Sequence, residues 1–364
     1  MTDDRPLRGA SGIRVLEFSH GLAAAYAGLI LASQGARVCR VPIEGRNVDQ
    51  LQAAYYDRGK VSTSPGSAAT LIASADVIVS DLHPADARAR SLPTSIEQVP
   101  ATQTVVHITP FGITGPRADY VMEDITEWAA GGLAYATRRL DRAGEPEASE
   151  SSPLLAHGRQ PELLGGMAGA LGTFFALLTR EHDPGPRMID VSRQEVQAAM
   201  AQAILVPFIW NSIVPGSPQA RTTQGMLLEA ADGHIYIRAV ELHHWRGLFE
   251  LIGDNGWSAD VASWSLEMIN ANKEAIAPLI ALWAAQTPRD YIYHEGQKRG
   301  LPVAMPRTLD DVLAWTHLYE RGFWTHVAVH DGSTVRAPAL PVLDAGELPP
   351  ERGAASHPGR AWPE

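Results

Sequence analysis

GRQPELLGGMAGALGTFFALLTREHDPGPRMIDVS, residues 158–192, is the stretch on which the reading of the fold depends. After Glu162 the run of Gly, Ala, Leu and Phe continues for about five turns without proline, which suits a helix, and its small residues permit close packing. Arg180 and His182 fall near its end, where positive charge complements the helix dipole. Pro184-Gly185-Pro186 stops it, and Met188 to Val191 reads as a short strand. A buried helix opened by the acid Glu162 is therefore expected, with that acid serving either as a cap or as a chemical group.

Upstream, Gly12 to Phe18 (GIRVLEF) has a buried-strand pattern, Leu22 to Ser33 an Ala/Leu-rich helical one, and Ala36 to Val41 a second strand after Gly35. Strand, helix and strand within about thirty residues is the pattern of a parallel α/β unit. Val77 to Ser80 and Thr104 to Thr109 add two strand candidates, so the first third reads as an open, doubly wound sheet. Neither a G-x-G-x-x-G nor a G-x-x-x-x-G-K-[ST] follows the first strand, which leaves dinucleotide and P-loop readings with little support.

Composition narrows the function classes. The chain has 364 residues, 45% of them hydrophobic, enough for two cored domains. A net charge of −11 argues against nucleic acid or an anionic membrane as partner. Lys60, Lys273 and Lys298 are the only lysines, so positive charge rests on arginine. One cysteine, Cys39, excludes an internal disulfide framework and reads as core. The polar start MTDDRPLRGAS lacks the apolar core of a signal peptide, and no apolar window of about 18 residues suggests a span. A soluble cytoplasmic protein is expected.

Further along, Glu123 to Thr137 reads as a helix broken at Gly131-Gly132, and Leu140 to Ser152 as an exposed connector. Arg193 to Trp210 reads as one long helix with a kink or stop at Pro207, and Trp210 as core. Pro215 to Gln219 is the expected linker. A hairpin is expected from Met226–Glu229 and His234–Val240 around Ala231-Asp232-Gly233, then helices to about Arg299. Trp245, Trp257, Trp264 and Trp283 read as packing there. Pro302 to Met305 reads as a strand returning to the first domain, then a helix from Leu309 to His317 and a hairpin around Asp331-Gly332. The tail from Leu348, with Pro349, Pro350, Pro358 and Pro363, reads as extended. The expected division is a large domain over 1–213, a smaller one over 220–300, and a return with the tail over 301–364.

The order and spacing of these pieces resemble the family III CoA-transferases, the CaiB–BaiF group that includes α-methylacyl-CoA racemases. The resemblance rests on GIRVLEFSHGLAAAYAGLILASQGARVCRV, YYDRGK (Tyr55–Lys60), ASADVIVSDLHP (Ala73–Pro84), ITPFGITGP (Ile108–Pro116), GMAGALGTFFALLTREHDPGPRMIDVS and LPVAMPRTLDDVL (Leu301–Leu313). It implies an α/β fold with a Rossmann-like large domain, a smaller inserted α+β domain, and two chains interlocked as rings. It also implies acyl-CoA and a small carboxylic acid as substrates and no metal.

In the transferases of that family an aspartate opening the helix attacks the thioester; ungapped from Gly166, that position holds Glu162 here. Glutamate is the same nucleophile one methylene longer. The histidine of the racemase branch falls on Glu123 and its accessory glutamate on Glu241. For the CoA phosphates the expected ligands are Arg58 and Lys60, then Arg40 and Arg46, with His83 at the place of the family's arginine; His20, at the tip of the first strand, is expected at the pantetheine or acyl end. Ordinary caps and surface charges remain the competing readings of these residues. The expected activity is transfer of CoA between an acyl-CoA and a carboxylic acid. The alternatives are proton chemistry at the acyl α-carbon by paired glutamates, or acyl-CoA binding without turnover. Residues 118–165 and the hairpin are expected to line an apolar acyl pocket through Tyr120, Trp128, Met226 and Leu227.

Overall fold

Val15, Leu16, Val77, Ile78, Val105 and Val106 are all fully buried, because each strand they belong to is covered on both faces. In the computed structural model, which describes residues 9–137, 154–212, 225–254 and 256–340, these strands form one six-stranded parallel sheet. Its members are β1 (Arg14–Phe18), β2 (Arg37–Arg40), β3 (Val61–Ser62), β4 (Val77–Ser80), β5 (Thr104–Thr109) and β6 (Arg187–Ser192), in the order β3-β2-β1-β4-β5-β6. Alternate residues feed two cores: Val15, Val77, Val79 and Val106 one, Leu16, Ile78 and Val105 the other. That is how a parallel sheet sandwiched between helices distributes its side chains. The order reverses between β1 and β4, so a crevice opens beyond their carboxyl ends.

The helices of this unit are α1 (Leu22–Ser33), α2 (Gln50–Tyr56), α3 (Ala68–Ser74), α4 (Pro84–Ala89), α5 (Asp124–Ala130), α6 (Leu133–Ala136), α7 (Gln160–Thr179), α8 (Arg193–Met200) and α9 (Gln202–Asn211). The helix read from the opening stretch is α7, and its glycines explain themselves. A Cβ on Gly166 would meet the Ala23 carbonyl oxygen of α1 at 2.6 Å, and one on Gly169 would meet Ile108 of β5 at 2.5 Å. The helix is therefore pressed against both α1 and the sheet. By length and composition α7 could cross a membrane, a property not anticipated from the sequence; here its glycine face packs as a core helix does. The opposite face exposes Met167, Leu171, Phe175 and Leu178.

The chain divides into two units, Met1–Trp210 with His317–Glu364, and Asn211–Thr316. The second contains the hairpin β7 (Met226–Ala230) and β8 (Gly233–Ile237), joined by β9 (Val303–Ala304). Its helices are α10 (Leu242–Ile252), α11 (Ser258–Ala262), α12 (Leu266–Ala271), α13 (Lys273–Ala285), α14 (Arg289–Lys298) and α15 (Leu309–Ala314). Ile235, Ile237, Trp245, Leu248, Ile269, Ile280 and Ile292 belong to its core, against which Trp257, Trp264 and Trp283 pack. The short helix α16 (Thr316–Glu320) leads back to the first unit, where β10 (Trp324–Ala328) pairs antiparallel with β11 (Thr334–Pro338).

Three expectations are corrected. The strand at Pro302–Met305 does form, but Val303 and Ala304 pair with Ile237 and Tyr236 of the small sheet, not with the large one. The helix expected over Arg193–Trp210 is two helices parted at Ala201, and Pro207 lies inside the second. Proline there lacks only one donor, and the helix continues past it to Asn211. Trp210 is 80% exposed rather than core, because it falls on an outward face of α9. The connector at 140–152, the linker at 215–219 and the tail from 348 lie outside the described residues.

Candidate functional site

Helix α1 begins Gly21-Leu22-Ala23-Ala24 and supplies no polar side chain of its own to its first amides. Those donors need partners, since a helix leaves its first N–H groups unsatisfied. They are found far away in sequence. Asp81, just beyond β4, accepts from the N–H groups of His20 (2.6 Å), Gly21 (3.2 Å) and Ala24 (3.0 Å). Glu162, from the first turn of α7, accepts from the Leu22 N–H, 140 residues away. Gly21 makes room for it: a Cβ there would stand 2.6 Å from Glu162 Oε2. Two carboxylates thus converge on the positive end of α1, at the sheet's switch point.

Glu162 is buried, and its Oε1 is held by the Arg159 guanidinium, Nε at 2.9 Å. Arg159 adopts the left-handed conformation (φ 53°), unusual for a non-glycine residue, and its Nη1 also donates to the Asn47 carbonyl at 2.7 Å. Burial pushes the Asp81 carboxyl up, and the neighbouring Glu162 adds to the effect, while the amide donors oppose it.

These groups line a cavity of about 440 Å³, together with His20 and His83 from the strand ends and Tyr120 and Met122 from the loop after β5. Its far wall comes from α5 and α8. There Glu127, 1% exposed, pairs with Arg193 through Oε1 at 2.5 Å. Its other oxygen, Oε2, is buried with no hydrogen-bond partner, as are Asp124 Oδ1, Arg193 Nε and both polar atoms of Gln197. Burial pushes the Glu127 carboxyl up to about 7 against the pull of Arg193, and Asp124 is likewise shifted up, first by burial and then by Glu162. The carboxylates of Glu162 and Asp81 therefore face the cavity region at a helix N-terminus, a place where negative charge is stabilised.

The sequence-derived candidates sort by environment. Glu162, Glu123, His20 and His83 line the cavity. Glu123 is exposed and its N–H donates to Thr126 Oγ1 at the start of α5. His83 opens α4, accepting from the Ala85 N–H through Nδ1 at 3.3 Å, with Nε2 3.2 Å from the Asp119 carbonyl oxygen. Arg46 forks onto Asp57 at 2.7 and 2.8 Å, and Arg40 approaches the same carboxylate at 3.3 Å. Arg58 donates to the Tyr55 carbonyl and lies over the Tyr55 ring at 3.9 Å. Lys60 is buried: its Nζ contacts Glu17 Oε2 at 2.6 Å and the Ala25 carbonyl at 2.7 Å. Glu241 belongs to the second unit, exposed at the start of α10, with His243 Nδ1 3.3 Å away. Of the apolar residues expected around an acyl group, Tyr120 lines the cavity, Trp128 is buried and donates to the Leu154 carbonyl, and Met226 and Leu227 sit on β7. Cys39 is buried, its thiol pushed up to about 11, which suits core rather than nucleophile.

Sequence reading passed over Asp81, Arg159, Glu127 and Arg193. For Asp81 a signal existed, an acid immediately after a buried strand. For the others no local pattern distinguishes them from surface charge. Among the described residues no cluster of histidine, cysteine and acids suits a metal ion.

A parallel sheet of this order with a carboxylate at its switch point defines an α/β protein built to bind a ligand at the strand ends. The chain belongs to the CoA-transferase family III, whose model matches residues 10–358. It is similar to a succinate–glutarate CoA-transferase of Agrobacterium fabrum, 22% identical over 92% of this chain and 88% of that one. Among solved structures it resembles a CAIB/BAIF family protein from Brucella suis (TM-score 0.73, 20% identity, 97% of each chain). It also resembles Rv3272 from M. tuberculosis (TM-score 0.78, 20% identity, 96% of this chain and 98% of that one).

Proposed function

We propose that the protein transfers CoA between an acyl-CoA and a carboxylic acid, with Glu162 as the nucleophile. The observation that carries this reading is the Glu162 carboxylate itself, buried in the cavity wall and held between the α1 N-terminus and Arg159. Oε1 takes two N–H donors of Arg159 and Oε2 takes only the Leu22 N–H, which leaves a lone pair on Oε2 for attack. An oxygen of Glu162 adds to the thioester carbon, the C–S bond breaks, and CoA thiolate departs, leaving an acyl–glutamyl anhydride. The thiolate then attacks the glutamyl carbonyl, releasing the acyl group as its carboxylate and forming a glutamyl–CoA thioester. The acceptor carboxylate attacks that thioester, giving a new anhydride and thiolate. Attack of the thiolate on the acceptor's acyl carbon yields the new acyl-CoA and free Glu162. The α1 amides and Arg159 stabilise the negative charge carried by each addition step.

The same reading takes the working form to be an interlocked homodimer acting in the cytoplasm. The apolar stripe of α7 (Met167, Leu171, Phe175, Leu178) supports association, since an exposed patch of that kind marks an interaction surface. The CoA phosphates fall to His83 at the cavity and to Arg40, Arg46 and Arg58 beyond it, and His20 to the pantetheine or acyl end. Glu123 and Asp124 share the cavity with Glu162, which favours α-proton chemistry as the second reading.

Hydroxylamine trapping during turnover tests the proposal. A hydroxamate at Glu162 is expected, together with its loss in Glu162→Gln. Exchange of solvent deuterium into the acyl α-position without any adduct would transfer the case to the second reading. Tight acyl-CoA binding with neither outcome would leave a binding protein.

A further inference from the structure

Two arginines line the cavity, Arg159 and Arg193, and the proposed reaction treats them differently. Arg193 is paired with Glu127, neither side chain is more than 9% exposed, and no step of the transfer changes the charge of that pair. Arg159 is 20% exposed, and its counter-ion is Glu162, the carboxylate that becomes acylated. In the anhydride and in the glutamyl–CoA thioester Glu162 carries no charge. Arg159 then stands at the cavity with its positive charge uncompensated, at the stage when one acid has just been released and another is about to enter.

The guanidinium is fixed independently of Glu162. Its Nη1 donates to the Asn47 carbonyl at 2.7 Å, and the Asn47 N–H donates in turn to the His20 carbonyl at 2.8 Å, which ties it to the end of β1. Nε, at 2.9 Å, and Nη2 both donate to Glu162 Oε1. Three of the five N–H groups of the guanidinium are thus engaged, and two of these three lose an anionic acceptor when Glu162 is acylated. A planar fork anchored at one corner is suited to take another carboxylate in its place. The Leu22 N–H beside it is vacated as well, when Glu162 Oε2 becomes the bridging oxygen of the anhydride. Arg159 keeps its position in a left-handed backbone (φ 53°), and strain of that kind collects at functional sites.

We infer that Arg159 is the seat of the exchanged carboxylate: its fork passes from Glu162 to the departing acid as Glu162 is acylated, and then to the acceptor acid. The inference rests on the transferase reading and adds a substrate-binding residue to it. One acceptor oxygen attacks the glutamyl carbon, the C–S bond breaks, and the thiolate leaves with its electron pair. The other acceptor oxygen stays on Arg159 until the thiolate attacks the acyl carbon. That attack breaks the bond from the acyl carbon to the bridging oxygen, which remains on Glu162, and the restored carboxylate takes back the fork. Between addition steps one carboxylate faces Arg159 at every stage, so donor and acceptor acids compete for a single seat.

Glu162→Gln removes the charge of the free carboxylate and so reproduces the acylated state at this seat. Calorimetric titration of the full chain in saturating CoA, with butanoate as probe and butanamide as its neutral control, tests the inference. Glu162→Gln is expected to bind butanoate at least about tenfold more tightly than wild type, the scale of a charge-assisted hydrogen bond, with no gain for butanamide. In Glu162→Gln/Arg159→Gln the gain should disappear. In Glu162→Gln/Arg159→Lys, which keeps the charge without the fork, part of it should return. A role confined to holding Glu162 predicts no gain in the first variant and no rescue in the last. Butanoate affinity unchanged in Glu162→Gln, or a gain that survives Arg159→Gln, overturns the inference; a hydroxamate still formed at Glu162 of the wild type then leaves the transferase reading standing. No CoA binding by the wild type overturns both. Glu162→Met and Arg159→Met take the place of the glutamine variants should those not fold.

Discussion

Replacing Lys60 by methionine separates two roles that the bare sequence leaves equivalent, phosphate ligand and core ion pair. The ammonium is 2% exposed, 2.6 Å from Glu17 Oε2 and 2.7 Å from the Ala25 carbonyl, while Ser19 Oγ donates to the other Glu17 oxygen at 2.7 Å. Glu17 is fully buried on β1, so removing the lysine strands a carboxylate inside the sheet layer. Breaking one side of such a pair costs about 3–5 kcal/mol, whereas replacing both partners by neutral groups of similar shape is often close to neutral. At roughly 2–4 °C per kcal/mol for a domain of this size, Lys60→Met should lower the melting temperature by roughly 6–20 °C. The double variant Glu17→Gln/Lys60→Met should recover most of that loss, giving a coupling of about 3 kcal/mol in the cycle. Differential scanning calorimetry, with CoA titration of each folded variant, measures both. A Lys60→Met protein that melts within about 2 °C of wild type but binds CoA tenfold more weakly would refute the core assignment.

Gly166→Ala should destabilise the first unit by about 1–3 kcal/mol, because its Cβ would lie 2.6 Å from the Ala23 carbonyl oxygen. Gly66→Ala, where nothing lies within 4 Å, is the matched control, and equal effects in denaturant titrations would contradict the packing described. Glu127, raised from 4.5 to about 7, binds its proton more tightly folded than unfolded. Its contribution is therefore fully present below pH 4.5 and is lost as pH rises towards about 7, by roughly 3 kcal/mol. Glu127→Gln should flatten that limb of the stability profile, and a limb unchanged in the variant would assign it to another group. Glu162→Asp shortens the reach by about 1 Å and should lower CoA transfer about 100-fold. CoA affinity should stay within about threefold, and a transfer rate equal to wild type would show that the backbone does not depend on the longer side chain.

What the sequence determined by itself was local and periodic. The strands at Val77–Ser80 and Thr104–Thr109 and the helix at Leu22–Ser33 occur with the boundaries read from it. Buried parallel strands are continuous apolar runs, and glycine and proline mark their ends, so these signals lie within a few residues of each other. The family pattern likewise pointed to Glu162, which lines the cavity. The tertiary structure alone decided which charges meet. Nothing near Leu22 announces that its N–H is accepted by a carboxylate 140 residues away, nor that Asp81 supplies the cap α1 lacks. Lys60 and Arg58, two residues apart in one polar loop, look alike as phosphate ligands. The fold buries the first against Glu17 and leaves the second on the Tyr55 ring. Burial and pairing are properties of the packed chain, and they set both the cost of a charge and the partner that offsets it. The glutamate that opens α7 was visible in the sequence; its setting at the end of another helix, across a cavity from Glu127 and Arg193, exists only after the sheet has brought β1, β4 and β5 side by side.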